Sequence, residues 1–456
     1  MKLIFNIIIL LASLSIASAA EPFSPDLGAA PPAPQAPPAP RAEGPASSSA
    51  SPAPRSMPAA AGPKIELPPD EPVAAIPRPA FLRLPRETQI EVPLDQSAML
   101  GTAIGGYGEL TLTAPSNGPA VVDLRRLVLY VGHNFTEKWR FYGEIEVEHA
   151  VSSSADRGEI EVEQAFLDYL AWRPFNLRAG VIIIPIGIIN VYHEPSTFNG
   201  VDRPDTDTLI IPSTWREPGG GFFGAWRWLR YQAYAVNGFD ASGFTGSSGL
   251  RDGHQEAQLA LGHDWGVVLR VDLAPILGAD IGASYYYSHA DQGQAKFGGA
   301  VAVNIAEVDA KVKWRGLEAR AEFASVWIGG SDRVTQAREA EATASMPFAQ
   351  IDGPVARQLI GGYVEAGYNV LHPVKLRSGL QLTPFLRYEH VDTQFDLAKG
   401  FVRAPGNRRD TITAGLTFRP IAEIALKLDY QRVWTDAELP SDQLIDRVNA
   451  GIAFLF

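Results

Sequence analysis

The sequence predicts an all-β fold: a closed, transmembrane antiparallel β-barrel of about sixteen strands, with a long inward-folding loop after the fifth. Three observations predict it. Apolar and polar residues alternate through most of residues 99–456, which is the period of a strand with two unlike faces. The joints between these runs also alternate, tight then long, as in bacterial barrels. Aromatic residues gather at the run ends in two rows, where rings settle at a membrane–water boundary.

The chain opens with Lys2, then an apolar run over residues 3–16 interrupted by Asn6, then Ala17-Ser18-Ala19. A charged start, a short apolar stretch and a small-x-small site mark residues 1–20 as a secretory signal peptide. The run is too short for a membrane anchor, and no cysteine follows it to carry a lipid. Residues 21–97 are rich in Pro, Ala and Ser. They cannot build a core, and are expected to be a disordered polyproline II linker on the periplasmic side. Residues 98–456 are the barrel domain.

The expected strands are 100–113, 120–133, 137–150, 158–172, 175–184, 219–227, 229–238, 262–273, 279–289, 301–314, 317–328, 358–371, 379–391, 409–419, 422–434 and 445–456. Tight joints fall at Asn134-Phe135-Thr136, Arg173-Pro174, Trp228, Arg315-Gly316 and Pro420-Ile421. Long ones cover 185–218, 239–261, 290–300, 329–357, 392–408 and 435–444. Trp139, Trp172, Phe175, Trp228, Trp314, Phe418 and Phe456 sit at the short-turn ends, and Trp327 and Trp434 at the long-loop ends. A soluble sandwich would alternate too, but has no reason for two aromatic rows. Two strands break phase. Phe166 and Asp168 fall out of step with Glu159, Glu161 and Glu163, which calls for a bulge near Gln164. Arg125-Arg126 puts an arginine on each face, which calls for a bulge or a rim position there.

The least ordinary stretch is 175–226. Two apolar runs are separated by roughly thirty residues, against about two to five for a hairpin loop. Pro195, Pro204, Pro212 and Pro218 exclude a long helix, and Tyr192, Phe198, Ile210, Ile211 and Trp215 argue against disorder. The wording HEPSTFNGVDRP followed by IIPSTWREPGGGFFG resembles the phosphate-selective porin O and P family of outer-membrane channels. So do FYGEIEVEHA and EVEQAFLDY. The resemblance covers about residues 101–456 and is most specific over 140–224. It implies an outer-membrane location, a homotrimer, a constriction loop after the fifth strand, and passage of small anions, phosphate among them. It also implies that the terminal Phe456 is an assembly signal.

A net charge of −12 and pI near 5.2 argue against a nucleic-acid partner. Without cysteine there is no disulfide framework. His193-Glu194 is followed by proline rather than completing a helical zinc motif, no G-x-S-x-G occurs, and the eight histidines lack metal spacing. No catalytic set, cofactor or metal is expected. The expected partners are outer-membrane lipid and small anions or other hydrophilic solutes.

The expected bore residues are charged. Glu144, Glu146 and Glu148 share one strand face opposite Phe141, Ile145 and Val147, and should face water in the lumen. Arg270, Arg320 and Arg387 have acidic neighbours two residues away and read as braced wall charges. Arg178 has no such neighbour. With Arg203 and Arg216 of the long loop it is expected to form a small anion-binding group. The reading is a channel for passive diffusion of small hydrophilic solutes. The alternative is a closed barrel serving as a structural protein, tied to the envelope by its Pro-rich arm.

Overall fold

Val303, Ile305, Glu307, Asp309, Lys311 and Lys313 share one face of a single strand. That face sets the architecture, because charge and branched apolar groups cannot both meet lipid. The computed structural model describes residues 101–149, 158–341, 353–374, 379–437 and 445–456. The expected signal peptide and linker lie outside the described residues. The strands are β1 (Gly101–Pro115), β2 (Val121–Asn134), β3 (Trp139–Glu148), β4 (Ile160–Trp172), β5 (Phe175–Ile183), β6 (Arg216–Trp226), β7 (Leu229–Asn237) and β8 (Trp265–Ile276). They continue with β9 (Ala279–His289), β10 (Ala302–Trp314), β11 (Leu317–Gly329), β12 (Gln358–Tyr368), β13 (Gln381–Asp396), β14 (Arg408–Ile421), β15 (Ile424–Thr435) and β16 (Ile445–Leu455). Each pairs antiparallel with its sequence neighbours, and β1 pairs with β16, so the sheet closes into one barrel without an edge.

The two faces are inverted relative to a soluble protein. On β8, Val267, Leu269 and Val271 are 42–50% exposed, while Arg270 and Asp272 on the other face are 3% and 8% exposed. Val308 on β10 and Leu386 on β13 point outward, against buried Asp309 and Arg387. An exposed apolar belt around a charged interior belongs in lipid. Trp139, Trp172, Trp228, Trp314 and Phe456 are exposed at the short-turn rim, and Trp265, Trp327 and Trp434 at the other.

Both phase breaks are bulges. Glu109 pairs with Arg126 and Leu110 with Leu124, which leaves Arg125 unpaired in the ladder. Glu144 pairs with Gln164 and Ile145 with Val162, which leaves Glu163 over. The second bulge turns Glu163 and Gln164 both into the interior, where regular alternation allows only one.

Three features depart from the sequence expectation. β6 begins at Arg216, because Pro218 and three glycines gave no alternation to mark its start. β13 runs on to Asp396, past the expected end at 391. The β11–β12 connection holds a helix, α1 (Ser331–Glu341), whose Ser331, Val334, Thr335 and Ala337 are buried. The long connections also build an apolar core at their end of the barrel. Phe239, Phe244 and Leu250 from the β7–β8 connection pack with Trp215, Tyr286, Val303 and Val326, all fully buried. Trp215 stacks on Phe239 at 4.6 Å between ring centroids. Burying such rings contributes about 1.5–3 kcal/mol each.

Candidate functional site

Residues 184–215 leave β5, cross the interior and return to β6. Their anchors lie on strands far from both. The Ile188 amide donates to Glu322 at 3.1 Å, Val201 to Asp429 at 2.7 Å, and Asp205 to Glu389 at 2.7 Å. Asn199 donates to Glu365 at 3.2 Å. Inward carboxylates of β11, β12, β13 and β15 therefore accept from the crossing segment and hold it against the opposite wall. Salt bridges fix its tip, with Arg125 to Asp202 at 2.8 Å and Arg409 to Asp205 at 3.5 Å. Prolines keep the segment irregular, so its amides are free to donate across the lumen.

The charged groups sort by wall and by depth. Along β10, Val303 and Ile305 lie in the apolar layer at the long-loop end. Glu307 and Asp309 occupy the middle, and Lys311 and Lys313 reach the short-turn mouth, becoming steadily more exposed. That mouth holds a cleft of about 500 Å³, where Lys311, Lys313, Arg320 and Arg419 stand against Glu194 and Glu318. Lys311 lies over the Tyr192 ring at 4.5 Å, and Lys427 over Phe198 at 4.0 Å, both rings belonging to the crossing segment. Glu144, Glu146, Glu161 and Glu163 of β3 and β4 line the other wall.

The expected bore residues divide accordingly. Glu144 and Glu146 do point inward, but the crossing segment covers them to 3% and 1% exposure, so they are not open to lumen water as expected. Glu148, nearer the rim, is half-buried. Arg270 is a hub, with Asp309 at 2.7 Å, Asp272 at 2.8 Å and Glu307 at 3.5 Å. Arg387 reaches Glu389 at 2.7 Å and Glu365 at 3.4 Å, and donates to the Asp202 carbonyl. Arg320 pairs across the strands with Glu365 at 3.4 Å. These three brace the wall and the crossing segment together.

The three arginines expected to bind anions are separated by their partners. Arg178 makes a two-pronged pair with Asp168, directly opposite on β4, at 2.8 and 2.9 Å, and lies 3.9 Å over Phe166. Its acidic neighbour is across the ladder, where spacing along one strand does not show it. Arg216 pairs with Glu161, and with Glu256 at 3.3 Å. Arg203 is held by the Ser213 and Thr214 hydroxyls and the His193 carbonyl rather than by a carboxylate. Lys311, Lys313 and Lys427 are expected from alternation to face the bore; that Lys311 and Lys313 share one mouth with Arg419 of a distant strand follows only from barrel closure.

Replacing Arg270 by methionine tests the hub. Three carboxylates would lose their shared cation, and breaking a buried pair of this kind costs about 3–5 kcal/mol. The urea midpoint, followed by heat-modifiable gel mobility, is expected to fall clearly. A midpoint equal to wild type would show that water or another cation already serves those carboxylates.

No family model matches the sequence. A protein of Aquifex aeolicus (strain VF5), described as uncharacterized, is 34% identical over 339 residues, covering 73% of this chain and 76% of its own. The chain belongs to the same family as that protein. Among solved structures, Salmonella typhi OmpF in complex with daunomycin matches with a TM-score of 0.51 at 12% identity, over 78% of this chain and 98% of its own. An anion-selective porin from Comamonas acidovorans matches with a TM-score of 0.51 at 8% identity, over 78% of this chain and 100% of its own. This chain thus shares the barrel fold of these outer-membrane porins.

Proposed function

We propose that the chain is an outer-membrane channel for passive diffusion of small hydrophilic solutes and ions, narrowed by residues 184–215 and preferring anions. The observation that carries the reading is a closed barrel, apolar outside and charged inside, with a polar segment anchored across its lumen. The basic mouth supports the preference for anions. In a low-dielectric bore, charges at a constriction weigh more than the overall −12, because the walls focus their field. Of the three arginines proposed from sequence, Arg203 has no contacting carboxylate among the described residues, whereas Arg178 and Arg216 are each paired with one. The resemblance to the phosphate-selective O and P family adds phosphate as a candidate solute and a homotrimer as the assembly.

The test is the reversal potential in a potassium chloride gradient, using the wild type and a variant with Lys311, Lys313 and Arg419 all changed to glutamine. The wild type is expected to favour chloride, and the variant to lose that preference while still conducting. A wild type that favours potassium, or a variant with unchanged potential, would remove the basic mouth as the selecting element. Block of the chloride current by added phosphate would support the phosphate part. The apolar core at the long-loop end favours the second reading, a closed structural barrel, and absence of any current would select it.

A further inference from the structure

We propose that Glu144, Glu163 and His193 form a binding site for a divalent transition-metal cation of the zinc type, with Glu146 at its edge. The site rests on geometry and is independent of whether the barrel conducts. His193 comes from the crossing segment, Glu144 from β3, and Glu163 from the β4 bulge. The His193 Nε2 lies 3.6 Å from Glu163 Oε2 and 3.9 Å from Glu144 Oε1, and one donor atom from each residue falls within 4.8 Å of the others. These separations are too long for hydrogen bonds. They approach the spacing of donors around one ion, since ligands about 2.1 Å from a tetrahedral zinc stand about 3.4 Å apart.

The imidazole is set for the task. Its Nδ1 contacts the Asn190 carbonyl at 3.2 Å, an acceptor only, so Nδ1 carries a proton and Nε2 is the nitrogen turned toward the two carboxylates, where a metal would displace its proton. Asn190 is itself fixed, donating to Ile184 O at 2.8 Å and accepting from the Trp215 amide at 2.8 Å. The carboxylates are oriented in the same way. Glu144 accepts from Gln164 at 2.6 Å and from Tyr142 at 3.3 Å, and Glu163 accepts from Tyr107 at 3.3 Å. Outer partners of this kind hold metal ligands in place.

Burial supplies the second, independent observation. His193, Glu144 and Glu163 are 0–3% exposed, and among the described residues His193 Nε2, Glu163 Oε1 and Glu146 Oε1 have no hydrogen-bond partner. Two arginines adjoin the cluster: Arg126 is shared between Glu109 at 3.0 Å and Glu146 at 3.5 Å, and Arg203 is held by the Ser213 and Thr214 hydroxyls and the His193 carbonyl. Among the described residues neither Glu144 nor Glu163 has an arginine or lysine in salt-bridge contact, and two buried carboxylates facing one imidazole nitrogen call for positive charge between them. Imidazole with carboxylates suits zinc and its neighbours better than calcium or magnesium. A bound ion would fasten the crossing segment to the β3–β4 wall, opposite the basic mouth.

The full-length protein, folded in detergent and stripped with a chelator, would be titrated with zinc chloride and its metal content measured after equilibrium dialysis. About one equivalent per chain is expected. His193→Gln and Glu163→Gln should each weaken binding at least about tenfold, the loss that even outer partners cause. His133→Gln, on β2 and outside the cluster, should bind like wild type. Heat-modifiable mobility checks that each variant is folded. Should a variant fail to fold, zinc X-ray absorption on the wild type reads the ligands directly and should show one imidazole with carboxylate oxygens. No zinc uptake, equal uptake by His193→Gln, or a bound zinc without imidazole would each overturn the proposal; in the first case His193 serves as an imidazolium paired with Glu163.

Discussion

Replacing residues 189–211 with a short glycine–serine linker is expected to raise single-channel conductance several-fold and to abolish most of the resistance of the bore. The expectation follows from the anchors. This segment donates hydrogen bonds to Glu365, Glu389 and Asp429, and lays Tyr192 and Phe198 across Lys311 and Lys427. Its removal would open the lumen along β10 to β15. The variant would retain Ile184, Ile186 and Trp215 and lose Ile210 and Ile211, so the apolar core keeps only part of what this segment contributes. It would also free the inward carboxylates to water. They are charged groups regaining solvent, and the barrel should remain folded because its strand ladder is untouched. Conductance in planar bilayers is the readout. A folded variant conducting no better than wild type would place the narrowing in the apolar core of the long connections instead.

Removing Phe456 should prevent most of the protein from folding into membranes. The barrel closes where β16 meets β1. There the Gly106 amide donates to Phe456 O at 2.9 Å, and the Phe456 amide donates back to Gly106 O at 2.8 Å. Deletion removes both bonds, worth about 0.5–1.5 kcal/mol each. The ring matters as well. A Cβ on Gly106 would stand 2.7 Å from the Phe456 ring, and one on Gly108 equally close to the Phe454 ring. The two rings therefore cover the glycines of the first strand, and they stack at 6.4 Å between centroids. Without Phe456, the new terminal carboxylate at Leu455 falls within the aromatic rim. The proposed role as an assembly signal acts on the same residue. Phe456→Ala separates the effects, because it keeps both backbone bonds. If it folds as poorly as the deletion, the ring carries the requirement. If the deletion itself folds and inserts at wild-type yield, the seam needs neither.

The barrel was legible because a two-residue period survives any loop. Val267, Leu269 and Val271 against Arg270 and Asp272 fixed the faces of β8, and the phase slips at Arg125 and Glu163 located both bulges. The aromatic rims followed from the same pattern. Other features depend on register between strands, which spacing along one strand does not carry. The partner of Arg178 is Asp168, across the β4–β5 ladder, and Lys311 meets Arg419 only once sixteen strands have closed. α1 lay inside a long connection where residues such as Val334 and Ala337 gave no two-residue period to read. The apolar core of Trp215, Phe239 and Phe244 comes from irregular segments, for which hydropathy alone gives no direction. His193 is likewise distant in sequence from Glu144 and Glu163, so no motif spacing joins them.

The central claim is that small solutes pass through the lumen beside the crossing segment. Liposome swelling with uncharged sugars of graded size tests it most directly, since it needs neither charge selectivity nor a resolved current. Proteoliposomes carrying the wild-type protein are expected to swell with the smallest sugars and progressively less with larger ones, and the variant lacking residues 189–211 should extend that range upward. Wild-type proteoliposomes that swell no faster than empty ones with even the smallest sugar, at a protein content shown to be folded by heat-modifiable mobility, would contradict the account and leave a closed barrel.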